Sequence, residues 1–153
     1  MPHDYSDTLR ALGRFLEEEG ATGVKIVDAG DHLSVSWQGR EGAPMERGYR
    51  SFELEDLRLK SRLMRAADEG TPQVSTSEIL RLLGWALDHM GADLISMIDT
   101  PAGLRLTAIV GGRRAARTYQ HDELVELVEA QRKGRGFAQS PLSARSIGPL
   151  PEV

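Results

Sequence analysis

Ser6-Asp7-Thr8-Leu9-Arg10-Ala11-Leu12-Gly13-Arg14-Phe15-Leu16-Glu17 aligns without a gap on Ser77-Glu78-Ile79-Leu80-Arg81-Leu82-Leu83-Gly84-Trp85-Ala86-Leu87-Asp88. The same spacing of 71 residues sets Gly20-Ala21 on Gly91-Ala92, Asp28 on Asp99 and Leu33 on Leu104. Self-similarity at a fixed period marks a repeated supersecondary unit that cannot bury its apolar face alone. A gap of four residues in the following loop brings Arg50-Ser51-Phe52 onto Arg117-Thr118-Tyr119 and Leu57 onto Leu124, which makes Arg50 and Arg117 equivalents.

Each copy reads as α-β-β-β-α. Leu9, Leu12 and Leu16 recur at helical spacing, with Ser6 as N-cap and Gly20 as the left-handed terminator, so a helix is expected over 7–19. In the second copy Leu80, Leu83, Leu87 and Met90 form the inner face; Ser75-Thr76-Ser77-Glu78 supplies a capping box, and Gly91 ends the helix. Two strand-like runs follow each helix, joined by Asp28-Ala29-Gly30-Asp31 or by Asp99-Thr100-Pro101-Ala102-Gly103. Leu33, Val35 and Trp37 alternate with polar residues, as do Leu104 and Leu106. Third strands are expected over 47–52 and 114–119, and second helices from about Leu54 and His121. Leu57, Leu63, Met64 and Ala67 supply the apolar side of the first of these, and Leu124, Leu127, Val128 and Ala130 that of the second.

The expected fold is α+β: a tandem duplication of an α-β-β-β-α unit, with two pseudo-twofold-related halves forming antiparallel sheet and helices packed on one face. One domain over 1–136 contains repeats 5–68 and 75–134, joined by a short connector over 68–74. Residues 137–153, with Pro141, Pro149 and Pro151, read as a flexible tail.

Composition narrows the function classes. The 153 residues are 40% hydrophobic and 27% charged, a globular balance, and no apolar run is long enough to span a membrane. No leader of basic-then-apolar type stands at the amino terminus, so the cytoplasm is the expected location. The absence of cysteine excludes disulfides, thiolate metal sites and cysteine nucleophiles. The net charge of −4 lacks the basic footprint of a nucleic-acid binder, and the excess acid falls before Gly70.

Candidate residues are few. Gly13 and Gly84 sit mid-helix, where glycine costs about 1 kcal/mol relative to alanine, so close helix packing is the expected compensation. Asp28 and Asp99 read as turn residues that bond their own backbone. His3, His32, His89 and His121 form no metal-ligand spacing, and neither a nucleophile elbow, a Walker loop nor a dinucleotide fingerprint is present, so no cofactor, metal or catalytic residue is expected. The element order is that of double-stranded RNA-binding domains, but those need lysines where Glu53-Leu54-Glu55-Asp56 and Gln120-His121-Asp122-Glu123 stand here.

Two binding functions remain, beside an enzyme of unrecognised class. The first is a non-enzymatic binding or assembly protein that docks a protein partner, or a second copy of itself, on a sheet face or edge. The other is anion or nucleic-acid binding through a strip of Arg47, Arg50, Arg105, Arg113, Arg114 and Arg117 projecting from the wet sheet face. That strip predicts steeply salt-dependent affinity, abolished by Arg113→Glu with Arg117→Glu, in a nucleic-acid binding titration across ionic strength.

Overall fold

The computed structural model describes residues 5–63, 74–133 and 148–149, with side chains 61–63 and 148–149 outside the description. The elements are α1 (Tyr5–Glu18), β1 (Thr22–Asp28), β2 (Leu33–Gln38), β3 (Pro44–Tyr49), α2 (Ser51–Leu63), α3 (Thr76–His89), β4 (Asp93–Thr100), β5 (Gly103–Val110), β6 (Arg113–Tyr119), α4 (His121–Arg132) and the two-residue β7 (Gly148–Pro149). The fold is α+β. Six antiparallel strands run in the order β3-β2-β1-β4-β5-β6, and β7 pairs with β6.

Strand pleating decides where the core lies. Ile26, Leu33, Val35, Trp37, Ile95, Met97, Leu106 and Ala108 are buried, and the pairings Ile26↔Val35, Ile26↔Met97 and Met97↔Leu106 put them on one face. Leu9, Leu12 and Leu16 of α1 and Leu80, Leu83 and Leu87 of α3 join them in a single apolar cluster. The other face carries Lys25, Ser34, Ser36, Ser96, Thr107 and Thr118, as strict alternation requires.

Helices α1 and α3 lie antiparallel across the centre of this layer. The N–H groups of Tyr5 and Ser6 donate to the two carboxylate oxygens of Asp88 (2.8 and 3.0 Å), and the N–H of Ser77 donates to Glu17 Oε1 (3.0 Å). Ser77 Oγ donates to the Arg10 carbonyl (2.9 Å) and Ser6 Oγ to the Arg81 carbonyl (3.5 Å). Each helix therefore receives a carboxylate at its positive end from the last turn of the other, an arrangement worth about 0.3–1 kcal/mol per charge. Ser6 is not the N-cap of α1, which begins one residue earlier and is capped by Asp88. Ser75 does cap α3, its Oγ accepting from the Glu78 N–H (3.1 Å).

The third strand of the first half runs over Pro44–Tyr49, not 47–52, and α2 starts at Ser51, not near Leu54. Ser51-Phe52 has strand-like composition, but the Arg50 N–H donates to Glu53 Oε1 (3.3 Å), as the Gln120 N–H does to Glu123 Oε1 (3.1 Å), and both pairs initiate helices. The expected Leu63, Met64 and Ala67 contacts lie outside the described side chains, as do nearly all of the 68–74 connector and, apart from Gly148–Pro149, the 137–153 tail.

Gly13 and Gly84 mark the crossing of α1 and α3. A Cβ on Gly13 would stand 2.7 Å from Ser77 Cα, and one on Gly84 would stand 2.5 Å from the Tyr5 carbonyl oxygen. Both obstacles are backbone, so neither can swing aside. Gly13→Ala and Gly84→Ala should each lower the unfolding free energy by about 2 kcal/mol or more in urea denaturation, although alanine is the better helix former by about 1 kcal/mol.

Candidate functional site

The six arginines do not form one strip. The pairings Val35↔Arg47 and Leu106↔Arg117 complete a row across the sheet, Arg47-Val35-Ile26-Met97-Leu106-Arg117, on the helix-bearing face. Arg47 and Arg117 thus sit at opposite ends of that row, five strand spacings or about 24 Å apart. Arg113, opposite Val110, shares their face, whereas Arg105 (opposite Ile98) and Arg114 (opposite Ile109) project from the other one. Arg50 lies outside the strands, immediately before α2. The same register makes Arg47, not Arg50, the counterpart of Arg117.

Both row-end arginines stack on a tyrosine two residues along. The Arg47 guanidinium lies 4.8 Å from the Tyr49 ring centroid and that of Arg117 lies 4.5 Å from the Tyr119 centroid, distances at which cation–π attraction acts. Arg117 also pairs with Glu123 (3.1 Å). Arg47 is exposed and Arg117 half-buried, so each guanidinium lies at the boundary between the core and solvent.

Two concavities open on the helix layer. A cleft of about 560 Å³ lies between α1, β3 and α2, with Phe15, Tyr49, Phe52 and Leu57 among its lining. Its rim mixes signs: Arg14 pairs with Glu18 (3.7 Å) and Lys60 with Asp56 (3.4 Å). Phe52 is 71% exposed and Leu59 56% exposed, two turns apart on one side of α2. Tyr49 has a buried hydroxyl with no hydrogen-bond partner among the described residues, a cost of about 1–3 kcal/mol if left so. Nothing in the sequence singled out this cleft, because its walls come from three separate elements.

A second pocket, of about 260 Å³, is bounded by α1, α3, the start of α4 and strands β1, β4 and β5. Thr76, Met97, Asp99, Leu104 and His121 are among its lining residues. Asp28, the residue corresponding to Asp99, accepts from the Gly30 N–H (2.9 Å), the turn bond expected of it, and also from the Tyr5 hydroxyl (2.6 Å). Among the described residues, no cluster of three or more metal-ligating side chains occurs, and no helix is long and apolar enough to cross a membrane.

Burial raises the pKa of all three tyrosines, Tyr5, Tyr49 and Tyr119; at Tyr5 the neighbouring Asp28 carboxylate adds to the rise. A phenol whose folded-state pKa exceeds its unfolded value, about 10, contributes stability that is intact below that pH and is lost as pH climbs towards the folded-state value. In alkaline titration, tyrosinate absorbance should therefore lag behind that of free tyrosine and rise together with the loss of helix signal, with Tyr5→Phe moving unfolding to higher pH.

No protein-family model matches the chain, and no curated protein or solved structure matches it at a significant level.

Proposed function

We propose that the chain is a tandem duplication folded as one domain, and that it serves as a non-enzymatic docking module for an extended segment of a protein partner. The segment adds to the free edge of β3 and seats an apolar side chain in the cleft between α1 and α2. The observation that carries this reading is the cleft itself, walled by Phe52 at 71% exposure. An apolar side chain of that size held in water beside a concave surface is the composition of a binding groove.

Support for the duplication comes from positions 71 apart. Ile26 pairs with Met97 at the sheet centre, Gly13 meets Ser77 as Gly84 meets Ser6, and Glu17 and Asp88 cap opposite helices. The two ends of such a sheet are its two edges. Gly148–Pro149 lies along β6 opposite Ala115 and Ala116, whereas β3 has no strand outside it among the described residues. Five of its six residues are exposed. A free edge offers backbone groups for strand addition, and pockets beside it supply specificity.

A second copy of the chain fits this edge poorly. Of the antiparallel β3–β3 registers that keep each face continuous, the two with the greatest overlap set Glu46 opposite Glu46 or Arg47 opposite Arg47, and directly opposed like charges destabilise a ladder. A foreign segment with an apolar residue on the helix side avoids both.

Photo-crosslinking from Met45, with Lys25 on the uncovered sheet face as the comparison site, would identify the partner segment, and amide exchange with that purified segment would then map its contact. The reading expects protection of β3 amides and at least tenfold weaker binding for Phe52→Ser. Protection confined to the uncovered face, or binding indifferent to Phe52→Ser, would contradict it.

A further inference from the structure

Tyr5 opens α1, and its buried ring carries a hydroxyl that donates to Asp28 Oδ2 at 2.6 Å, close to the backbone of Ile95. Seventy-one residues along, Thr76 opens α3 and Asp99 stands where Asp28 does. The residue corresponding to Ile95 is Val24. Thr76, Asp99 and Val24 all line the pocket of about 260 Å³. Where one half of the molecule places a phenol ring, the other places a threonine and a cavity.

The wall of that cavity suits the missing ring. Met97, Leu104 and Leu124 line it, at the positions that Ile26, Leu33 and Leu54 hold in the first half. A dry apolar cavity of roughly 150 Å³ is enough to hold benzene, so this pocket has room for one ring with a small substituent. Asp99 is exposed, and its carboxylate is placed to accept a charge-assisted O–H···O⁻ bond.

We propose that this pocket binds a small one-ring phenol, its hydroxyl donating to Asp99 and its ring lying against Met97 and Leu104, as the Tyr5 side chain is held in the first half. The inference rests on the positional correspondence of the two halves and is independent of docking at β3. Met97 and Leu104 supply the apolar contact, and Asp99 supplies discrimination. A ring of equal size without a hydroxyl gains the first and forgoes the second.

The test is a methyl-resolved NMR titration of the full chain with 4-methylphenol and, separately, with toluene. The expected result is saturable shifts at Met97, Leu104 and Leu124, with 4-methylphenol bound at least tenfold more tightly than toluene. Asp99→Ala should remove that difference. Thr76→Tyr, which supplies the ring internally, should abolish binding and raise the melting temperature. Absence of saturable shifts, equal affinity for the two probes, or a folded Thr76→Tyr variant that binds as before would overturn the proposal. Should Thr76→Tyr fail to fold, an Asp99→Ala variant that retains the preference for 4-methylphenol overturns it equally.

Discussion

Two antiparallel helices, α1 and α3, touch backbone to backbone, and the rest of the molecule is arranged around that contact. Glycine at 13 and 84 lets the helices approach until each N-terminus reaches the last turn of the other, where Asp88 and Glu17 accept the otherwise unpaired N–H groups. The close approach and the capping require each other. A wider separation would take these part-buried N–H groups out of reach of the two carboxylates. Below the helices, β1 and β4 meet at Ile26 and Met97, so the apolar cluster runs continuously from one half into the other.

From that centre the sheet extends to two ends built from the same parts. Each end has an arginine on the core face, stacked on a tyrosine two residues later, and a glutamate that closes the first turn of the next helix. Departures from this common plan coincide with the two concavities. The α2 side exposes Phe52 in the wall of the larger cleft, and β3 is left at the edge among the described residues. On the α4 side, Thr76, Asp99 and His121 border the smaller pocket.

Much of the architecture was legible because it rests on local pattern. Leucines at helical spacing, strand alternation and glycine punctuation located α1, α3, the start of α4 and five of the six long strands. The β3 boundary was misread, since a gap of four residues in the comparison of the halves carried Ser51-Phe52 into a strand when Arg50 and Glu53 start a helix there. That slip also assigned Arg50 the place that belongs to Arg47. The arginine strip dissolved for a related reason: successive residues on a pleated strand face opposite ways, so Arg113 and Arg114 cannot share a face. Neither concavity was legible, because each is walled by residues far apart in the chain, and Asp88 as a cap could not be foreseen without the antiparallel docking that brings it to Tyr5.

The claim on which everything else depends is that both halves stand or fall together around the α1–α3 contact. Native-state amide hydrogen exchange tests it most directly, because it reports the opening free energy of each element separately. The account predicts that amides of α1, α3, β1 and β4 exchange most slowly and with one common free energy equal to that of global unfolding. Persistent protection in α3 and β4 while α1 and β1 exchange freely, or the converse, would contradict it.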